Sequence, residues 1–200
     1  AFVSALDEAQ DWSTVWNDRS AGRADWNGYE GCFEDPAEYL AFVRTVVDVI
    51  GDTLEITAGD TVLDLGCGTG RMTREIGDRA ASVVGVDFSH TALAVARQKR
   101  NRINVRYQWG DLNEINPQEL PDTDKAYAVG SLFYLDSLAK VWRILDALLA
   151  SGTRVLLLDL PDADLPDRRE RDYDTSRFRH LRFREQDFVS RYGGVTVLRG

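Results

Sequence analysis

The chain has 200 residues, of which 44% are hydrophobic and 28% charged, and its formal net charge is −9 at pH 7. This length suits one domain with a substantial core, and the composition is ordinary for a globular protein. The acidic balance argues against a polyanionic partner, because nucleic-acid binding usually rests on a basic surface. No apolar run approaches the length of a membrane-spanning helix, and the first ten residues lack a signal-peptide pattern.

The predicted helices and strands alternate after an aromatic-rich opening. Asp35 followed by Pro36 predicts a helix start, Ser89 a helix N-cap and Gly152 a helix end. This alternation of helices with near-continuous apolar strands predicts an α/β fold, a doubly wound and mostly parallel sheet with helices on both faces. The predicted helices cover 37–54, 71–80, 91–100, 137–152 and 185–193, and the predicted strands cover 61–65, 82–87, 103–111, 125–135, 153–160 and 195–200.

The two cysteines of the chain, Cys32 and Cys67, have neither CxxC spacing nor a neighbouring histidine. The sequence therefore predicts no metal site, and the cytoplasm is the expected location. The chain begins without methionine, which leaves open that it is a piece of a longer protein.

Three glycines at alternate positions follow the first predicted strand, in the stretch TVLDLGCGTGR from Thr61 to Arg71. Glycine in such a place gives up packing and costs unfolded-state entropy, so it usually serves a sharp turn or a close approach of backbone to a ligand. Ligands of doubly wound sheets bind outside the carboxyl ends of the strands. The position of these glycines therefore predicts a binding site.

Two familiar glycine motifs do not fit this loop. A phosphate-binding loop requires Gly-Lys-Ser/Thr from the fifth position after Gly66, where the chain has Arg71 and Met72. A dinucleotide-binding fingerprint requires its third glycine at position 71 as well. The loop is therefore expected to serve another ligand.

The stretch VLDLGCGTG resembles the first motif of class I S-adenosylmethionine (SAM)-dependent methyltransferases. The resemblance continues in register with Asp87 at the end of the second strand, Asp111 after the third, and the runs SLFYL and LASGTRVLLLDL. It covers roughly residues 35–198 and implies a Rossmann-like fold. It also implies a single domain over 1–200, with an N-terminal helical lid segment at 1–34 and a SAM-binding core at 35–200.

The resemblance implies a cofactor role for each matching residue. The three glycines would approach the homocysteine part of SAM, Asp87 would bind the ribose hydroxyls and Asp111 the adenine. Asp64 either contacts the cofactor or only holds the loop backbone. An acidic and aromatic site also suits the cationic sulfonium. The expected cofactor-binding residues are Asp64, Gly66, Cys67 (through its backbone), Gly68, Gly70, Asp87, Phe88, Asp111, Leu112 and Ser131.

For the residues that would bind the methyl acceptor, the sequence leaves several alternative roles open. Tyr134, Asp159 and His180 are candidate catalytic residues, although a core aromatic, a loop-capping carboxylate and a plain loop histidine are the respective alternatives. Trp26 and Tyr29 are candidates for closing over the methyl group, and Tyr134 for touching the substrate. Arg177 and Arg179 are candidates for clamping a substrate phosphate or carboxylate, or they balance the acidic segment before them.

The chain is expected to methylate a small molecule, and its opening segment is similar to the lids of methyltransferases acting on sugars and natural products. An RNA or protein methyltransferase is the alternative; the absence of an Asn/Asp-Pro-Pro-aromatic motif at GSLFY speaks against it. A non-catalytic SAM-binding or assembly domain stays open as well. The family's sheet normally ends in a seventh strand that the prediction lacks, so a homodimer or another partner at the sheet edge is conceivable.

Overall fold

A computed structural model describes residues 11–20, 33, 35–99, 102–165 and 178–192 of the chain. Within these ranges helices and strands alternate as the sequence predicts. The helices are α1 (Trp12–Ser20), α2 (Pro36–Leu54), α3 (Arg71–Ile76), α4 (His90–Gln98), α5 (Leu138–Ala150) and α6 (Glu185–Tyr192). The strands are β1 (Thr61–Leu65), β2 (Ser82–Asp87), β3 (Val105–Trp109), β4 (Lys125–Val129) and β5 (Arg154–Leu158).

The five strands form one parallel sheet in the order β3-β2-β1-β4-β5. Side chains of a strand alternate between the two faces, and in β1 they join two different cores. Leu63 packs with α5 and α6 on one face. Val62 packs with α2 on the other face. The predicted α/β fold with helices on both faces of a parallel sheet is therefore confirmed.

Local signals in the sequence fix several helix ends. The Asp35 carboxylate accepts a hydrogen bond from the amide of Ala37, with Pro36 in the first turn of α2. The Ser89 hydroxyl accepts a hydrogen bond from the Ala92 amide at 3.1 Å and caps α4. Gly152 follows α5 with a φ of +84°, a conformation that favours glycine. These three predictions are confirmed.

The predicted fourth strand, 125–135, is wrong in its second half. β4 ends at Val129, Gly130 turns the chain with a φ of +60°, and Leu132–Tyr134 form a single turn of 3-10 helix. The side chains of this turn are apolar because they are buried in the core. Burial explains an apolar run in a turn as well as in a strand, and a sequence pattern does not separate the two.

Other boundaries differ by a few residues. The helix predicted at 71–80 ends at Ile76, before Gly77, and the strands predicted at 103–111 and 153–160 are shorter at both ends. The predicted loop after β3 contains one 3-10 turn, Pro117–Glu119. The predicted strand 195–200 lies outside the described residues. None of the described helices is long and apolar enough to cross a membrane.

Candidate active site

A cavity of about 200 Å³ opens at the carboxyl ends of β1, β2 and β4. A water molecule takes about 30 Å³ of the liquid, so the cavity has room for an organic ligand. Residues 66–69 of the glycine loop form its floor together with the segments after β2 and β3. Helix α1 and the turn Leu132–Tyr134 form the opposite wall.

The three glycines of the loop have positive φ angles, from +52° to +77°, but different neighbours. A Cβ at Gly66 would lie 2.8 Å from the Ser131 hydroxyl oxygen and closer still to its Cβ, and one at Gly70 would lie 2.5 Å from the nearest atom of the Tyr107 ring. Among the residues that the structure describes, none has a heavy atom within 4 Å of a Cβ placed at Gly68. Gly66 and Gly68 line the cavity, whereas Gly70 does not and instead precedes α3.

Asp87 holds the glycine loop against the end of β2. One carboxylate oxygen accepts the Gly68 amide at 2.8 Å, and the other accepts the Ser89 amide at 2.8 Å. Burial raises the pKa of Asp87, while these backbone hydrogen bonds act to lower it. A carboxylate offers about four acceptor sites, so acceptor capacity remains for a hydroxyl group of a ligand in the cavity.

Asp64 lines the cavity from β1 and has side-chain partners rather than the loop-backbone partners that the sequence suggested. One of its oxygens accepts the hydroxyls of Thr73 at 2.7 Å and Tyr127 at 2.8 Å. Burial raises the pKa of Asp64 to about 7 despite these two hydrogen bonds. The Asp64 carboxyl therefore changes its protonation state near neutral pH.

The remaining cofactor candidates also line the cavity. Asp111 accepts the Asn113 amide at 2.8 Å, and the backbone oxygen of Phe88 accepts the indole N–H of Trp109 at 2.9 Å. Burial raises the pKa of the Cys67 thiol, which therefore stays protonated, as expected for a residue that contributes its backbone. Leu112 and Ser131 complete this set, and the Ser131 hydroxyl donates to the Leu65 carbonyl at 2.6 Å.

The opposite wall of the cavity is aromatic. Trp12 and Trp16 of α1 lie with their rings 4.7 Å and 5.4 Å from that of Tyr134, both edge to face. Phe133 and Tyr39 line the same cavity. The sequence pointed to a lid but named Trp26 and Tyr29, which lie outside the described residues. The i, i+4 spacing of Trp12 and Trp16 is the sequence pattern that could have predicted helix α1.

Two of the three catalytic candidates line the cavity, and the third does not. Asp159 and Tyr134 line the cavity, and Asp159 has a φ of +56°, which is rare outside glycine. His180 is not a lining residue; its ring lies 4.7 to 5.2 Å from those of Phe133, Tyr134 and Trp12, behind the aromatic wall.

The arginines after β5 do not reach the cavity in the part that the structure describes. Arg179 is exposed and is not a lining residue. Arg182 donates to the Asp162 carbonyl at 3.2 Å, and Arg184 pairs with the Asp164 carboxylate at 3.1 Å. Arg177 lies outside the described residues. The guanidinium groups of Arg182 and Arg184 thus stabilise the loop.

Several lining residues were not named from the sequence. Their positions in helices or loops follow no ligand motif, and the fold alone brings them to the cavity. They are Asp11, Ser13, Tyr39, Thr69, Arg71, Met72, Ser89, Ala92, Asn113, Val129, Gly130 and Leu135.

Known sequences resemble the part of the chain that contains this site. A family of methyltransferase domains matches residues 62–153, which include the glycine loop, Asp87 and Asp111. An O-methyltransferase of Penicillium expansum is 28% identical over 174 residues, covering 78% of this chain and 61% of that protein. A 2-phytyl-1,4-naphtoquinone methyltransferase of Thermosynechococcus vestitus is 33% identical over 112 residues, covering 54% and 49%. The chain thus spans about half to three fifths of the length of these relatives.

Solved structures show the same fold. Magnesium protoporphyrin IX methyltransferase from Synechocystis PCC 6803, crystallised with SAM, superposes with a TM-score of 0.61 and 19% identity over 99% of this chain and 91% of that chain. The structure of a phosphoethanolamine N-methyltransferase from Haemonchus contortus gives a TM-score of 0.61 and 20% identity over 80% of this chain and 34% of that one. The chain is thus similar in sequence to methyltransferases over residues 62–153 and shares the fold of a methyltransferase crystallised with SAM.

Proposed function

We propose that this chain is an enzyme that transfers a methyl group from SAM to a small-molecule acceptor. The observation that carries the proposal is the meeting of three features in one cavity: the open backbone at Gly68, the Asp87 carboxylate and the Asp111 carboxylate. By the resemblance, Gly68 would meet the homocysteine part of SAM, Asp87 the ribose and Asp111 the adenine. The two carboxylates would repel a phosphate.

The residues of the floor fit SAM on chemical grounds. Gly68 has no side chain and no described residue places a heavy atom within 4 Å of the Cβ position, so a ligand can lie against the backbone. Asp87 retains acceptor capacity for a ribose hydroxyl, a charge-assisted contact. The Phe88 ring, half-buried beside it, offers an apolar face for adenine. SAM supplies an electrophilic methyl carbon on a sulfonium, whose positive charge suits an acidic cavity.

The opposite wall of the cavity then receives the acceptor. Trp12, Trp16 and Tyr134 exclude water and position the acceptor in line with the methyl carbon, which is the main requirement of a displacement at carbon. A lone pair of the acceptor forms the new bond as the carbon–sulfur bond breaks, and that bond's electrons stay on sulfur. For a hydroxyl acceptor, we propose Asp159 as the group that receives the proton, because this residue lines the cavity and follows β5.

The acceptor class is proposed from the walls and from the relatives. Rings of Trp12, Trp16 and Tyr134 suit a flat or largely apolar molecule. The relatives are named as an O-methyltransferase and as a naphthoquinone methyltransferase, both enzymes of small molecules. A sugar acceptor, the cytoplasmic location, the absence of a nucleic-acid partner and a homodimer stay predictions from the sequence.

Calorimetric titration with S-adenosylhomocysteine (SAH) tests the proposal. Wild-type protein should bind it with a micromolar Kd, and Asp87→Ala and Phe88→Ala should weaken binding at least tenfold. Asp122→Ala is the control, because Asp122 is exposed and far along the chain from the floor residues. Phe88→Ala leaves the Asp87 hydrogen bonds intact, so it gives an answer even where Asp87→Ala fails to fold. No binding by folded wild-type protein would refute the cofactor assignment.

Turnover is tested next, with SAM and a set of quinols, catechols and sugars. SAH formation that depends on an acceptor, measured by mass spectrometry, is the expected result. Binding of SAH without turnover on any nucleophile would favour a non-catalytic binding domain instead.

A further inference from the structure

Helix α1 is tied to the cofactor side of the cavity by one polar side chain. The Asn17 amide oxygen accepts the Ser89 hydroxyl at 2.8 Å and the Thr91 amide at 3.4 Å. Ser89 is only 1% exposed and caps α4. Asn17 therefore meets α4 at its first turn, where backbone amides lack partners within the helix.

These hydrogen bonds extend directly to the glycine loop. The Ser89 amide donates to one oxygen of Asp87, and the other oxygen of Asp87 accepts the Gly68 amide. A continuous series of hydrogen bonds thus runs from Asn17 through Ser89 and Asp87 to Gly68. The same helix contacts the acceptor wall through Trp12 and Trp16, whose rings lie against Tyr134.

We propose that Asn17 is a positioning residue that keeps α1 closed over the cofactor and aligns Asp87 through Ser89. This inference rests on the proposed function, because it assigns the cavity floor to SAM. Trp12 and Trp16 supply apolar contact but little direction, whereas the Asn17 hydrogen bonds require one orientation of the helix. Loss of these bonds leaves α1 able to dock by its rings but free to separate from α4.

The test compares Asn17→Ala with Asn17→Asp and with the control Asp18→Ala. Aspartate keeps acceptor oxygens and suits a helix N-terminus, so it should rescue the function of asparagine. Asp18 is exposed on the same helix. Stopped-flow fluorescence, with Trp12 and Trp16 as reporters, gives the dissociation rate of SAH. Hydrogen exchange of the amides of residues 12–20 reports closure in the ligand-free protein.

Asn17→Ala should raise the dissociation rate of SAH about three- to tenfold, which matches the loss of one or two modest hydrogen bonds. It should also speed exchange in α1, while amides of β1 and β4 stay as in wild type. Asn17→Asp should stay within about threefold of wild type, and Asp18→Ala should not differ from it.

Unchanged exchange in α1 of Asn17→Ala would overturn the inference, as would a lower melting temperature with no change in the dissociation rate. Failure of the proposed function looks different. In that case wild type binds no SAH, yet hydrogen exchange still decides whether Asn17 closes the helix.

Discussion

The floor and the opposite wall of the cavity are held by different interactions. On the floor, backbone amides of Gly68 and Ser89 donate to a single carboxylate, and buried hydroxyls donate to Asp64. On the wall, the rings of α1 and of Leu132–Tyr134 pack edge to face. Directional bonds fix the floor to one geometry, whereas aromatic contacts tolerate more displacement. In the proposed function, the floor would hold the cofactor through directional bonds and the wall would receive the acceptor through aromatic contacts.

Substitution of Phe133 is expected to change the free energy of unfolding most. It tests how far the aromatic wall contributes to stability. Its side chain is 1% exposed and belongs to the core as well as to the cavity. Phe133→Ala should lower the free energy of unfolding by about 3–5 kcal/mol, through lost burial and a cavity. Phe133→Leu, the control, should cost less than about 1.5 kcal/mol. Urea unfolding measures both, and an equal cost for the two variants would contradict a tightly packed wall.

A variant of Asp64 tests whether the buried, hydrogen-bonded carboxyl group on the floor lowers the stability of the protein. Its pKa is raised to about 7 in the folded protein, so its contribution to stability is present below the unfolded pKa near 4 and is lost as pH rises through 7. Asp64→Asn removes this loss. The variant should gain stability relative to wild type between pH 4 and pH 8, by at most about 4 kcal/mol.

The measurement is the difference in unfolding free energy between wild type and Asp64→Asn as a function of pH. Burial raises the pKa of Asp87 in both proteins, and the charge of Asp87 is also one cause of the raised pKa of Asp64, so the difference includes this coupling. A difference that does not change with pH would show that Asp64 is ionised throughout.

Substitutions of Gly66 and Gly68 distinguish a glycine required for stability from a glycine required for ligand binding. Gly66→Ala should destabilise the protein by about 3 kcal/mol, because its φ is +77° and the new Cβ collides with Ser131. Gly68→Ala should cost only about 1–2 kcal/mol, for its φ of +52° alone. Gly68→Ala should nevertheless weaken SAH binding at least tenfold, since its Cβ enters the space of the ligand.

Gly59→Ala is the control for both, because its only neighbour within 4 Å of the Cβ position is the Thr57 hydroxyl at 3.7 Å. Thermal melts give the stabilities and calorimetry the affinities. Equal destabilisation by Gly66→Ala and Gly68→Ala would show that backbone strain, not the Ser131 contact, sets the requirement for glycine.

Much of the floor could be predicted from the sequence because its signals are local. The bounds of β1 and β2, the cap at Ser89 and the glycine spacing each lie within a few residues. The partners of Asp64 could not be predicted, since Tyr127 is 63 residues away and only the pairing of β1 with β4 brings it near.

The aromatic wall was harder to predict from the sequence, because its residues also come together only through the tertiary fold. Trp12, Tyr134 and His180 meet in space but are far apart in sequence, and no spacing relates them. The turn Leu132–Tyr134 has the apolar composition of a strand, so its true conformation depended on tertiary packing. His180, a candidate catalytic residue or a plain loop histidine, has its ring against those of Phe133 and Tyr134, which line the cavity.

The unequal surroundings of the three glycines have a consequence for how such domains diverge. A descendant that no longer used a cofactor would still need glycine at 66 and 70, because Ser131 and Tyr107 occupy the space beside them. Position 68 would be released from that selection and would drift first to asparagine or aspartate, which tolerate a positive φ. Among homologous sequences, we therefore expect the middle glycine to be replaced first where a cofactor is no longer bound.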